Sequence, residues 1–316
     1  MDNRKTLIDQ STGKLSWVTR VAYASGDVAC NIVFGVISIL TLFYTDYAGI
    51  NPALVGLVML LARAFDGFSD IIMGFIVEKT HSKWGKSRPW ILWMSVPFAL
   101  SAVLLFAVPQ STETVQFIYM FVTYNFCTTI CYTALNLPYG SLSTMMTRVS
   151  VERDMLSVVR MGLAPLGKIF AVSCTLPLIK IMGNDQTAWI KVMSIWAVLA
   201  LILLLFCFFK CEEKVEIKAR EKKVKIPLKK ALGAVIHNQY FWAVFMLWMM
   251  QNVIQTVPAT MLPYYCKYIF GNDSWLYSTL YFMEIAILIV ATLGCPALLK
   301  RFGKRNMSLA GNCCFS

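Results

Sequence analysis

The chain has 316 residues, 58% of them hydrophobic and only 15% charged, with a mean hydropathy of +0.61. Those proportions exclude an ordinary soluble globular domain and point to a polytopic membrane protein. The net charge of +12 would suit a nucleic-acid binder. Most Lys and Arg residues, however, lie in the N-terminal tail and alternate inter-helix loops. That is the positive-inside pattern, so the charge orients the chain in a bilayer and no nucleic-acid partner is expected.

Residues 1–20 are polar and lack the apolar core of a signal peptide, so insertion is expected to use the spans themselves, with the N-terminus cytoplasmic. Span 1 covers about 20–44 and closes on Phe43-Tyr-Thr-Asp46, an aromatic and polar end suited to the outer interface. Span 2, about 52–77, carries Arg63, Asp66 and Asp70 inside an apolar run, and its exit loop holds Lys79, Lys83, Lys86 and Arg88. At the bilayer centre each such charge costs about 2.5–3.5 kcal/mol on insertion scales, so compensation by partners or ions is required. A spacing of four places Asp66 and Asp70 on one helical face, where hard cations find oxygen ligands close together. The competing reading is a structural ion pair centred on Arg63.

Span 3 follows over 90–108 and span 4 over about 115–137, with an outer turn between them. Span 4 ends in Asn136-Leu-Pro-Tyr-Gly140, where a proline and a glycine are expected to weaken the helix. A cytoplasmic loop over 145–159 leads to span 5, about 160–181, which carries Lys168; span 6 covers 189–209. Residues 210–230 hold nine basic residues and read as a cytoplasmic linker. Spans 7 (240–262) and 8 (276–299) follow, and the sequence stops at Ser316, a few residues into a ninth span. The expected domains are a six-helix bundle over 1–209, a basic linker over 210–238 and an incomplete second bundle over 239–316. Ten cysteines are scattered without metal-ligand spacing and read as small buried hydrophobes.

The two halves echo each other. Trp84-Gly-Lys-Ser-Arg88 matches Phe302-Gly-Lys-Arg305 at an offset of 218, and the same offset lays Glu284 on Asp66. Repeated halves of this kind are a transporter signature.

These motifs resemble those of the glycoside-pentoside-hexuronide:cation symporters, the melibiose-permease-like branch of the major facilitator superfamily. The resemblance rests on Phe43-Tyr-Thr-Asp46, Arg63-Ala-Phe-Asp66-Gly-Phe-Ser-Asp70, Trp84-Gly-Lys-Ser-Arg-Pro-Trp90, Tyr132-Thr-Ala-Leu-Asn-Leu-Pro138 and Arg160. It implies an all-α membrane fold of twelve helices, of which this chain holds eight complete transmembrane helices and a stub of a ninth. On that count the chain reads as a fragment or truncated product. The resemblance also implies a coupling cation, Na⁺, H⁺ or Li⁺, held by Asp66 and Asp70 with Ser69 and Thr133, and no other cofactor. A sugar site is implied at Asn31, Tyr132, Asn136 and Arg160, with Lys168 facing the same cavity. Arg63, Gly85, Lys86 and Arg88 are the expected conformational residues.

Asn31 and Asn136 stand where melibiose permease has aspartates, and Gly140 where it has a stacking tryptophan. The substrate is therefore expected to differ from a galactoside, with an anionic hexuronide favoured. The overall expectation is a monomeric, multi-pass secondary transporter of the inner cell membrane that couples sugar or glycoside uptake to a cation by alternating access. Rival readings are a membrane sensor or scaffold that lost transport, a truncated inactive carrier, and a lysolipid-type carrier. An enzyme is not expected, because the spans pair no nucleophile with a base.

Overall fold

A computed structural model describes residues 15–80, 82–183, 185–213 and 237–270, with isolated positions at 233 and between 279 and 294. Glu284, the repeat motif at Phe302–Arg305, most of the linker and most of spans 8 and 9 lie outside the described residues. The chain divides into two units, Met1–Glu216 with Ala291–Ser316, and Ile217–Val290.

Among the described residues every regular element is helical. In the first unit these are α1 (Trp17–Ile37), α2 (Pro52–Lys79), α3 (Arg88–Leu104), α4 (Glu113–Tyr124), α5 (Tyr132–Met146), α6 (Ser150–Ile181) and α7 (Gln186–Lys210). The second unit contributes α8 (Gln239–Tyr268). Trp17–Thr45, Ser150–Ile181 and Gln186–Lys210 are long and apolar enough to cross a membrane. Helix α2 has 28 residues, about 42 Å at 1.5 Å per residue. It reaches across in length but carries three charges midway.

Local chemistry sets the helix starts. Asn51 caps α2 by accepting from the Ala53 N–H at 2.9 Å, and Pro52 occupies the first helical position. Asp185 caps α7, accepting from the Ala188 N–H at 2.9 Å. The preceding turn passes through Gly183 at φ 118°, a conformation costly for any residue with a Cβ.

The core forms where α1 packs against α6 and α7, and glycines allow the close approach. A Cβ on Gly35 would sit 3.1 Å from the Lys168 carbonyl oxygen, and one on Gly167 would sit 2.8 Å from that of Val28. Helix α3 packs on α7 and α5, while α2 lies against α4, α5 and the turn joining them.

Four expectations change. Phe43 and Tyr44 do not face an interface: both are buried in a π-helical turn, Phe43–Tyr47, where Phe43 packs on Phe106 and Trp189 and the Tyr44 hydroxyl donates to the Leu105 carbonyl at 3.1 Å. The fourth span is not broken at Pro138 and Gly140, since α5 runs through both to Met146. Its irregularity lies about two turns earlier, as a π-helical stretch over Asn125–Cys131 that joins α4 to α5. The loop expected over 145–159 is mostly helix, because α6 begins at Ser150, which places Arg160 well inside a helix and not at its start. Among the described cysteines, Cys30, Cys127, Cys131, Cys207 and Cys211 are buried free thiols as expected, and Cys174 is a half-buried one.

Candidate functional site

Three clusters hold most of the polar residues singled out by the sequence, all within the first unit. The first joins α2 to the fourth span. Asp66 and Asp70 face Thr129 and Thr133, and both pairs are separated by four residues along their helices. The Thr129 hydroxyl donates to Asp66 Oδ1 at 2.5 Å, and the Thr133 hydroxyl donates to Asp70 Oδ1 at 3.1 Å. Ser69 donates to the backbone carbonyl of Thr129 at 3.0 Å. Arg63 Nη1 lies 3.5 Å from Asp66 Oδ2, with its side chain 75% exposed. An arginine-centred ion pair therefore accounts for one carboxylate at most, because Asp70 bonds to a threonine instead. Both carboxylates sit on the flank of the bundle and not in its core, Asp70 being exposed and the Asp66 side chain 28% exposed.

Thr129 was not among the sequence candidates. The available signal was its spacing of four from Thr133, which repeats the spacing of the two aspartates. The π-helical stretch that carries it leaves no mark in the local sequence. Such widened turns recur at functional sites.

The second cluster joins α1, α5 and α6. Arg160 on α6 reaches Asp27 on α1, with Nε 3.5 Å from Asp27 Oδ2. That Nε is buried and makes no hydrogen bond among the described residues. Asn31, one turn after Asp27, donates to the Asp27 carbonyl at 2.9 Å and to its carboxylate at 3.2 Å. Asn31 thus orients an acid, where the sequence made it a direct sugar contact. Asp27 itself was missed, although a lone acid in an apolar span is a functional signal by default. Tyr23 and Tyr139 stack beside the pair, centroids 4.8 Å apart, and the Tyr139 hydroxyl donates to the Tyr23 carbonyl at 2.5 Å. Tyr132 packs edge-on against Phe34 at 4.4 Å, which fixes its ring. Asn136 and Lys168 are half-buried on α5 and α6.

The third cluster lies where the end of α7 meets the start of α3. Glu213, just beyond α7, accepts from three successive backbone N–H groups at the start of α3: Lys86 at 3.0 Å, Ser87 at 2.7 Å and Arg88 at 2.7 Å. A carboxylate there satisfies donors that a helix start leaves open and lies at the positive end of the helix dipole. Gly85 has φ 107°, and a Cβ at that position would overlap the Glu213 carboxylate. Arg88 completes the closure by donating to the Phe208 carbonyl at 2.9 Å and covering the Phe208 ring at 4.6 Å. Gly85, Lys86 and Arg88 are therefore gathered as one unit, while Arg63 belongs to the first cluster. Glu213 had no signal in a stretch dominated by charges.

The family described as MFS/sugar transport protein matches the chain over residues 22–315. The chain is similar to the isoprimeverose transporter of Lactiplantibacillus pentosus, 33% identical over 305 residues that cover 93% of this chain and 62% of that one. It is also similar to a glucuronide carrier protein homolog of Escherichia coli, 31% identical over 306 residues, 94% of this chain and 65% of that one. A putative glycoside/cation symporter of Escherichia coli is 28% identical over 295 residues, 92% of this chain and 63% of that one. The chain thus spans less than two thirds of the length of these relatives.

Proposed function

The chain belongs to the MFS/sugar transport protein family, in its glycoside–cation symporter branch, and from that premise we propose that it is the larger part of a secondary transporter coupling sugar or glycoside movement to a cation. It is a multi-pass membrane protein with no enzymatic role. Eight spans and part of a ninth belong to a twelve-helix plan, the N-terminus lies in the cytoplasm, and the carrier works as a monomer in the inner membrane. A bundle over 1–209 and a second one beginning at 239 are joined by the basic linker.

The observation that carries this reading is the pairing of Asp66 with Thr129 and of Asp70 with Thr133. Two carboxylates and several hydroxyl oxygens between neighbouring spans are the donor set that a small hard cation requires. The cation, Na⁺, Li⁺ or H⁺, neutralises the carboxylates, and the substrate binds between bundles that rock about it. Coupling then requires the fully loaded carrier to cross more readily than the half-loaded one.

For the substrate, Arg160 carries the argument. Its buried Nε, which makes no hydrogen bond among the described residues, suits an acceptor supplied by a sugar, and a uronate carboxylate would match its fork. Asn136, Tyr132 and Lys168 complete the polar lining, with Asp27 and Asn31 holding the guanidinium. The name of the glucuronide carrier relative is consistent with this class.

The test is uptake by the full-length carrier in membrane vesicles under imposed Na⁺ or proton gradients. Asp66→Cys and Asp70→Cys should each abolish cation-driven accumulation, and survival of accumulation in both would overturn the coupling assignment. Transport of neutral glycosides with uronides ignored would overturn the anionic-substrate assignment alone.

A further inference from the structure

We propose that Thr129 is a ligand of the coupling cation, and that the site it completes is built for a monovalent metal ion, Na⁺ or Li⁺. The inference rests on reading Asp66 and Asp70 as the cation carboxylates and adds to it a residue and a choice of ion.

What sets Thr129 apart is where its hydroxyl goes. A threonine in an apolar helix ordinarily donates back to a carbonyl three or four residues earlier. Thr123 does so to Tyr119 at 2.8 Å, Thr128 to Tyr124 at 2.9 Å and Thr175 to Ala171 at 2.6 Å. Thr129 and Thr133 instead send their hydroxyls across to carboxylates on α2. Among the described threonines these are the two whose hydroxyls reach a carboxylate on another helix, and they sit at matching spacing opposite Asp66 and Asp70.

Thr129 is held in that posture. It is 4% exposed, its carbonyl accepts from Ser69 at 3.0 Å, and the amide oxygen of Asn125 lies 3.4 Å from its hydroxyl. The π-helical stretch Asn125–Cys131 carries it there. Each hydroxyl donates one hydrogen and keeps lone pairs, so Ser69, Thr129 and Thr133 add three neutral oxygens to the four of the carboxylates. A proton needs one carboxylate oxygen. A metal ion needs several oxygens at once, and the second hydroxyl rung supplies one of them.

The test uses Na⁺ alone as the probe on the purified full-length carrier, by titration calorimetry and by the rise in unfolding temperature that Na⁺ produces. Thr129→Val keeps the volume and β-branching and removes the oxygen. It should weaken Na⁺ binding 10- to 100-fold, the range typical when a ligand or its orienting partner is lost; loss of the bond to Asp66 should by itself lower the unfolding temperature in Na⁺-free buffer by several degrees, so the Na⁺ effect is read by calorimetry and as the rise above each variant's own Na⁺-free baseline. Thr129→Ser should restore binding to within about threefold, since the hydroxyl returns. Unchanged Na⁺ affinity in Thr129→Val, or a serine variant no better than valine, overturns the proposal. If Asp66→Cys and Asp70→Cys also leave Na⁺ binding intact, the carboxylate site itself is wrongly assigned. If those two abolish binding and Thr129→Val does not, only the role of Thr129 falls. A wild-type carrier that binds neither Na⁺ nor Li⁺ overturns the choice of a metal ion.

Discussion

Glu213 offers the most direct test of how the end of α7 is held against the start of α3. Its carboxylate receives three backbone N–H groups at 2.7–3.0 Å. A hydrogen bond to a charged group contributes about 1.5–3 kcal/mol to stability. Glu213 is half-buried, so water regains part of the loss when the side chain is removed, and the three bonds do not add in full. Glu213→Ala should therefore cost about 2–3 kcal/mol, and Glu213→Gln, which keeps one acceptor oxygen, about half of that. For a bundle of this size that corresponds to a fall of roughly 5–10 °C in unfolding temperature for the alanine variant, measured in detergent by intrinsic fluorescence. Gly85→Ala supplies an independent handle. The backbone strain at φ 107° persists in any background, whereas the overlap with the carboxylate disappears once Glu213 is gone. The penalty of Gly85→Ala should fall by about 1 kcal/mol in the Glu213→Ala background, within the range measured for touching residues. An unchanged unfolding temperature in Glu213→Ala, together with strict additivity, would refute the contact.

Two further outcomes follow from charges near the ends of the helices. Arg20 and Glu152 form a buried ion pair at 2.8 Å, each side chain 10% exposed; Glu152→Gln should cost about 3–5 kcal/mol by stranding a buried charge, whereas replacing both by apolar residues should cost far less, as read by thermal unfolding of the single and double variants. Asp185 is held below the usual carboxylate range, chiefly by the Thr187 hydroxyl and then by the Ala188 N–H. A depressed acid contributes stability that is present above its unfolded pKa of about 3.9 and is lost as pH falls through its folded value. The advantage of wild type over Asp185→Asn in unfolding temperature should therefore be full at pH 5 and shrink toward pH 3; a gap that widens on acidification would reverse the assignment.

What the sequence made legible were the features that repeat along one helix. The positions of the spans follow from apolar length and basic loops, and α1 to α4 and α7 lie close to where hydropathy puts them, while α5 and α6 extend about ten residues further toward each other. Asp66 and Asp70 declare themselves because a charge in an apolar run is expensive and a spacing of four sets both on one face. What escaped were relations between helices. Nothing near Glu213 says that three amides will meet it, since those donors lie more than a hundred residues earlier in the chain. Pro138 and Gly140 suggested a break that the structure does not show, and the true irregularity at Asn125–Cys131 contains neither residue type. Arg160 was found from resemblance, but its partner Asp27 required two helices to be placed side by side.

The way α2 is attached explains why its carboxylates matter beyond their own bonds. Near its start, Val55, Val58 and Ala62 enter the main core, and near its end Met73 and Val77 form a small cluster with Ala134. Between them, over residues 63–72, no side chain is buried. There the helix is joined to the fourth span by Thr129 to Asp66, Thr133 to Asp70 and Ser69 to the Thr129 carbonyl, with one edge-on ring pair, Phe65 and Phe121, at 5.9 Å. Two of those three hydrogen bonds end on carboxylates, so their strength depends on the charge those carboxylates carry. The glycine contacts that fix α1 against α6 are steric and carry no such dependence. A ligand that changes the charge at Asp66 and Asp70 therefore changes the attachment of the middle of α2 and leaves the packing of α1 as it was. An effect confined to one helix, and graded by occupancy, is the kind of differential interaction that lets binding at one site bias the state of a whole bundle.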